Sequence, residues 1–251
     1  MNFMLILAAG FLFLKTGEKF ATQESAGPTV ALLTAYVGQK TGVVFEPLVL
    51  NDPGQAAEYC ATGKPVVGIV TPGFYLAHGK MFGMEPLLEI KRHQVATERY
   101  VLVTTGTVLE TLIGKTIATP LAAEPRFVAD VILQGKIGVD VRLQTVVDVE
   151  GAVLDLIEGT KNAAAAVLME EGAWQVVHAD AELGPQLKAV FTSDELPGNL
   201  VVTIAGKCDA GKVKAALLST PVEILDSVRI QSFVEINVAR LQQARERFHA
   251  K

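Results

Sequence analysis

Few residues of this sequence are arranged for catalysis or for metal binding. None of the four histidines stands three or four positions from another histidine or from a cysteine, so their spacing does not build a metal site. They are His78, His93, His178 and His249. The sequence also lacks the patterns of hydrolase nucleophiles and zinc proteases. We therefore predict a protein that is not an enzyme and that uses no metal or cofactor.

One short motif resembles a nucleotide-binding loop. Gly114-Lys115-Thr116 matches the end of a P-loop, but Leu109 stands where its first glycine belongs. The segment also begins a predicted strand, whereas a P-loop leads into a helix. We therefore reject a nucleotide site here.

The stretch Val66 to His78, VVGIVTPGFYLAH, favours ligand binding instead. Its apolar, β-branched start predicts a strand that is buried on both faces. Thr71 is placed to cap the following helix, and Pro72 suits the first helical turn. In α/β sheets, ligands bind where strands end and helices begin. We predict that Thr71, Pro72, Phe74 and Tyr75 contact a ligand, although all four could serve only capping and packing.

Further candidate ligand contacts follow other predicted strands. Most are apolar, and packing in the core is the alternative role for each of them. They are Phe11, Phe13, Thr119, Leu121, Met169 and Trp174.

Composition narrows the class of protein. The chain has 251 residues, of which 50% are hydrophobic and 20% are charged, and its mean hydropathy is +0.35. Its net charge of -5 and the lack of a basic block argue against a nucleic-acid partner. Cys60 and Cys208 match no metal-ligand spacing. They are either two separate buried thiols or a long-range disulfide of an oxidising compartment.

The apolar start of the chain, Met1 to Leu14, is too short to span a bilayer. No basic residue precedes it and no small-residue cleavage site follows it, as a signal peptide would require. We predict that Asn2 to Ala9 form the first core strand, that Gly10 to Ala26 form a loop, and that any export signal is absent from this sequence.

The remaining pattern alternates strands with helices. Helices are predicted from Gly27 to Gly42 and after Asn51, with a strand over 43–50 between them. A second α/β unit begins at Gly114, and the chain ends in helices over 212–218 and 222–249, with a break near Ser232 as the alternative to one continuous second helix. The sequence thus predicts an α/β clamshell of two lobes, each a mostly parallel sheet flanked by helices.

The predicted lobes are residues 1–98 and 99–195, with 196–251 returning to lobe 1 and adding the C-terminal helices. Two strand crossings near 91–104 and 190–201 would form the hinge. A clamshell of this kind binds a small molecule in the cleft between its lobes.

Several segments resemble the phosphonate-type family of periplasmic solute-binding proteins that serve ABC transporters. The fragments occur in the family's order along almost the whole chain. They are TGVVFEPLVLNDPGQAAEYCATGKPVVGIVTPGFYLA, GKTIATP, DVEGAVLDLIEGTKNAAAAV and ELPGNLVV. The resemblance implies a type 2 periplasmic binding fold, a periplasmic location, a small-molecule ligand and a membrane transporter as partner.

One departure from the family concerns its ligand. Members that bind phosphonate carry a run of Ser, Thr and Gly after the GKTIA-type strand, whereas this chain has TPLAAEP over 119–125. Glu124 would also repel an anion there. We therefore predict a largely apolar ligand, lipid-like or sterol-like. The alternatives are an oxyanion held by Thr71, Tyr75, Thr119 and backbone N–H groups, and an enzyme on the same fold.

Overall fold

The computed structural model describes residues 8–16, 22–93, 95, 97–106, 108–137, 141–161 and 163–249. The chain divides into two compact units. Unit 1 contains Met1–Gln94 and Gly198–Asn237, and unit 2 contains Val95–Pro197 and Val238–Lys251.

Strands and helices alternate through most of the described residues. The strands are β1 (Ala9–Leu14), β2 (Phe45–Leu50), β3 (Pro65–Val70), β4 (Met84–Arg92), β5 (Tyr100–Thr104), β6 (Thr116–Thr119), β7 (Arg142–Thr145), β8 (Ala166–Glu170), β9 (Lys188–Thr192), β10 (Leu200–Ile204) and β11 (Ile230–Val234). The α-helices are α1 (Gln23–Thr41), α2 (Pro53–Ala61), α3 (Pro72–His78), α4 (Val149–Glu158), α5 (Glu171–Ala179), α6 (Ala210–Leu218), α7 (Val222–Ser227) and α8 (Val238–His249). A π-helical segment spans Phe127–Ile132.

Unit 1 is built on a six-stranded sheet in the order β11-β4-β10-β3-β1-β2. Strands β1, β2 and β3 are parallel. Strand β10 lies antiparallel between β3 and β4, and β11 is antiparallel to β4. The carboxyl ends of β1 to β4 therefore share one edge of the sheet with the first residues of β10 and β11.

Unit 2 contains a five-stranded sheet in the order β7-β6-β8-β5-β9. Strand β6 is parallel to β7 and β8, whereas β5 is antiparallel to both of its neighbours, β8 and β9. Its core joins the sheet to α4 and α5, with Val103, Val153 and Val167 among the fully buried side chains.

Helix α1 shows how the sequence sets an element of unit 1. Thr22 and Ser25 form a capping box at its start, which supplies partners for backbone N–H groups that lack one within the helix. Val30, Leu33 and Val37, which are spaced so as to share one face of the helix, are all buried. The helix begins earlier than predicted and contains Pro28 within its length.

The first described strand, β1, runs into the predicted loop. Of the predicted strand Asn2–Ala9, residues 2–7 lie outside the described residues, and β1 begins at Ala9 and continues to Leu14 through residues predicted as loop. The loop prediction was wrong here because every residue after Gly10 in β1 is apolar. A run of this kind suits a strand covered on both faces, and β1 pairs with both β2 and β3.

The predicted C-terminal helix 222–249 is broken around Ser232, the alternative that the sequence left open, and a strand occupies the break. Helix α7 ends at Ser227, β11 pairs with β4, and α8 begins at Val238. Ile230 and Phe233 on β11 are buried. Burial of these two side chains against the sheet accounts for the extended conformation, which local helix propensity did not predict.

Helix α8 groups with unit 2, which differs from the predicted return of 196–251 to lobe 1. The Arg126 guanidinium donates a hydrogen bond to the Phe248 carbonyl at 2.6 Å and lies over the Phe248 ring. Arg240 also forms an ion pair with Glu195 at 2.5 Å. These contacts fix α8 to residues of unit 2.

Both cysteines are free thiols, which decides between the two alternatives left by the sequence. Cys60 is buried in α2. Cys208 is half-buried and donates a weak S–H hydrogen bond to the Val66 carbonyl at 3.5 Å. Burial raises the pKa of Cys60 to about 11 and also raises the pKa of Cys208, so both thiols are protonated at neutral pH.

Candidate functional site

A cavity of about 450 Å³ lies within unit 1, at the sheet edge where β1 to β4 end. Its volume is in the range of small-molecule sites. Every described residue that lines it belongs to unit 1. The lining residues are Phe13, Leu14, Lys15, Ser25, Ala26, Thr29, Val30, Val49, Ile69, Ile90, Arg92, Asn199, Ser227, Val228, Arg229 and Ile230.

The sheet supplies an apolar wall of this cavity. Strand register places Phe13 opposite Val49 on one side and Ile69 on the other. Ile90 and Ile230 extend the apolar lining along β4 and β11. All five side chains are buried, so this wall is a continuation of the hydrophobic core.

Three cations line the same cavity. Lys15 follows β1, and its backbone N–H donates to the Leu50 carbonyl. Arg92 is the last residue of β4 and pairs in register with Ile230, while Arg229 immediately precedes β11. Among the described residues that line the cavity there is no carboxylate. The described lining therefore has three cationic side chains and no anionic one, a composition that favours anions.

Arg229 has an unusual backbone conformation. Its φ of +57° lies in the left-handed region, which costs a residue with a Cβ roughly 1–2 kcal/mol. The residue is exposed, and its N–H donates to the Asp226 carbonyl at 3.0 Å. Strained residues cluster at functional sites, and this one brings a guanidinium to the cavity.

Neutral polar groups complete the lining. Thr29, which lies on α1, and Asn199, which precedes β10, also line the cavity. The hydroxyls of Ser25 and Ser227 already donate to backbone carbonyls of Thr22 and Ile224. The strongest interactions that this cavity offers to a ligand therefore come from its three cations.

The turn after β3 has the predicted local structure. Thr71 caps α3, its hydroxyl accepting a hydrogen bond from the Phe74 N–H at 3.2 Å, and Pro72 lies in the first turn. Thr71, Pro72, Phe74 and Tyr75 are all buried, and none of them lines the cavity. Their contact with a ligand stays a prediction.

His78 is the last residue of α3 and packs between two aromatic rings. Its ring lies 4.7 Å from the Phe74 ring and 5.9 Å from the Phe82 ring. Burial lowers the pKa of His78, and its Nδ1 is buried without a hydrogen-bond partner among the described residues. These surroundings favour the neutral imidazole.

The loop after β6 in unit 2 forms hydrogen bonds within itself. The Thr119 hydroxyl is fully buried and accepts a hydrogen bond from the Leu121 N–H at 3.3 Å. The Glu124 N–H donates to the Leu121 carbonyl, and the Glu124 side chain is buried. These two N–H groups are therefore already engaged within the loop.

Three of the predicted ligand contacts are packing residues. Phe11 is fully buried in unit 1 and stacks on Phe13 at 4.8 Å. Met169 is fully buried in unit 2, and Trp174 packs against the same core and stacks on His178 at 4.8 Å. Their apolar surface contributes to the two cores, and their contact with a ligand stays a prediction. Phe13 is the predicted contact that does line the cavity.

Sequence reasoning missed the three cations. Lys15 and Arg92 each stand at a strand end, and that position was the available signal. Arg229 carried no such signal because the strand after it was predicted as helix.

The described residues include neither a candidate metal site nor a membrane-spanning helix. Within the described ranges, no group of three or more His, Cys, Asp or Glu side chains is placed to hold a metal ion. The helices described for this chain include none with the length and apolarity needed to cross a bilayer.

Solved structures share the fold at low sequence identity. A Xanthomonas citri protein bound to ATP aligns with a TM-score of 0.72 and 15% identity, covering 97% of this chain and 98% of that one. A binding protein component of an ABC phosphonate transporter from Pseudomonas aeruginosa gives 0.62 and 12%, covering 96% and 85%. PhnD1 from Prochlorococcus marinus, in complex with methylphosphonate, gives 0.61 and 10%, covering 95% and 96%.

These alignments extend over nearly the whole chain and confirm the predicted two-lobed α/β fold of type 2 periplasmic binding proteins. No curated protein sequence matches the chain. The family model for the phosphonate-type periplasmic substrate-binding protein of ABC transporters matches residues 21–241, and the chain therefore belongs to that family.

Proposed function

We propose that this protein captures a phosphonate-type oxyanion in the periplasm for an ABC importer, and that the anion binds in the unit 1 cavity. One observation carries the proposal. Lys15, Arg92 and Arg229 line a single cavity whose described lining includes no carboxylate. An oxyanion would form charge-assisted hydrogen bonds with such a set, and the two arginines could bind it in bidentate fashion.

A neutral apolar ligand, which the sequence favoured, suits this cavity less well. Covering cationic groups with a neutral guest removes water from them without supplying a compensating charge. An anion supplies that charge. The argument for an apolar ligand rested on the missing hydroxyl run after β6, and the cations of unit 1 offer another means of holding an anion.

Two ligands named for similar structures guide the choice of probes. Methylphosphonate is bound to the Prochlorococcus marinus protein and ATP to the Xanthomonas citri protein. Both are oxyanions of phosphorus. Because these proteins share only the fold with this chain, the two ligands suggest only the chemical class of the probes.

The test is calorimetric titration of the intact protein with methylphosphonate and with inorganic phosphate. We expect Arg92→Gln and Lys15→Gln each to weaken binding roughly tenfold or more, because a hydrogen bond to a charged group contributes about 1.5–3 kcal/mol. Arg142→Gln is the matched control, since Arg142 is an exposed arginine on β7 in unit 2. Its affinity should equal that of the unchanged protein.

Salt dependence supplies a second measure. Affinity for a charged ligand should fall as ionic strength rises, whereas affinity for a neutral ligand should change little. Tight binding of a lipid together with no binding of any anion would overturn the proposal. If Arg92→Gln bound the anion as tightly as the unchanged protein does, the unit 1 cavity would not be the binding site.

A further inference from the structure

The cavity joins two kinds of surface that a simple inorganic anion would not use together. We infer that its ligand class is an amphiphilic organic oxyanion, with a charged head on the cations and an apolar substituent on the wall formed by the sheet. This inference rests on the proposed function, because it assumes that the cavity of unit 1 binds an anion.

The two surfaces are separated by their depth in unit 1. The apolar wall consists of buried side chains on adjacent strands, with Phe13 between Val49 and Ile69 in register. The cations lie further out, because Lys15 and Arg92 are half-buried and Arg229 is exposed. An anionic group at the outer cations would leave the inner wall to the rest of the ligand.

The volume of the cavity also favours a ligand with a charged head and an apolar substituent. The cavity has a volume of about 450 Å³, within the range that encloses drug-sized ligands. An inorganic phosphate or methylphosphonate has too little apolar surface to cover the inner wall. Water left against that wall would be displaced favourably by an alkyl or aryl substituent.

The experiment is a homologous series of titrations with the unmodified protein. The probes are inorganic phosphate, methylphosphonate, propylphosphonate, hexylphosphonate and 1-hexanol. We expect affinity for the phosphonates to rise by up to roughly fourfold for each methylene that becomes buried. Hexylphosphonate should then bind far more tightly than both phosphate and hexanol, because neither of these carries both parts.

A substitution in the apolar wall tests whether the gain in affinity per methylene arises there. Val49→Thr places a hydroxyl in the buried wall, so the gain per methylene should fall. Val44→Thr is the matched control, because Val44 lies outside the cavity and is exposed, and the gain per methylene should be unchanged. Should Val49→Thr not fold, the series on the unmodified protein still decides.

The outcomes separate the inference from the proposed function. Equal affinity for phosphate, methylphosphonate and hexylphosphonate would overturn the amphiphilic ligand and leave anion binding intact. Hexanol binding as tightly as hexylphosphonate would overturn both, as would a failure of every phosphonate to bind. A gain per methylene that is the same in Val49→Thr and in the unmodified protein would overturn the placement of the substituent on this wall.

Discussion

Replacing Arg229 by glycine should make the protein more stable and a weaker anion binder at the same time. Arg229 has a φ of +57°, a conformation in which a Cβ atom crowds the carbonyl oxygen that follows. Glycine removes that crowding, and it also removes the guanidinium from the cavity. The substitution should therefore raise the stability of the protein and lower its affinity for the anion. This is the pattern expected where a strained conformation is retained because it serves function.

The expected stability change is the difference between two contributions. Relief of the left-handed conformation gives roughly 1–2 kcal/mol, and the greater freedom of glycine in the unfolded chain takes back about 0.5–1 kcal/mol. A net gain of about 0.5–1 kcal/mol corresponds to a rise in Tm of roughly 1–4 °C for a chain of this size. Loss of one charged contact should weaken anion binding roughly tenfold or more.

The assay combines scanning calorimetry without ligand and titration with hexylphosphonate. Ala205→Gly is the matched control, because Ala205 also has a φ of +57° but lies in the turn after β10 and outside the cavity. It should gain similar stability and keep its affinity. Unchanged affinity in Arg229→Gly would refute the role of Arg229 as an anion contact, and a lower Tm would show that its side chain stabilises unit 1.

Three further predictions concern titration and thiol chemistry. Burial lowers the pKa of His78, so the imidazole binds a proton more readily in the unfolded chain than in the folded protein. Stability should therefore fall as pH drops through about 6.5. In His78→Phe this part of the decrease in melting temperature should be absent. The Arg247 hydrogen bond lowers the pKa of Asp194, so its stabilising effect is present at neutral pH and is lost as pH falls through that lowered pKa; Asp194→Asn should melt with less acid dependence in unit 2. Alkylation at pH 8 followed by mass spectrometry should modify Cys208 before the more deeply buried Cys60, whose pKa is about 11, and detection of a disulfide would contradict two free thiols.

Elements whose signals are local were predictable from the sequence. The caps at Thr71 and Asp148 and the buried face of α1 are examples. In each case a side chain close in sequence satisfies the backbone, or an apolar period of helical spacing marks the face that packs. Neither signal depends on a distant part of the chain.

Elements that depend on distant partners were missed. Strand β1 is extended because it lies between β2 and β3, and β11 is extended because it pairs with β4. Local propensity cannot report such pairing, and tertiary packing decides the conformation of short apolar segments. The error at β11 also hid Arg229, since a residue inside a predicted helix is not examined as the end of a strand.

The ligand class was harder to predict because its evidence is divided between the two units. In unit 2 the sequence lacks the run of Ser, Thr and Gly after β6. The loop there uses its Thr119 hydroxyl and the Leu121 N–H for a hydrogen bond within itself. In unit 1 three cations from separate segments of the chain come together only through strand order. A missing anion loop taken alone predicts a neutral ligand. Combined with a cationic cavity above an apolar wall, the same loss favours an anion bound through unit 1, with its apolar part toward the core.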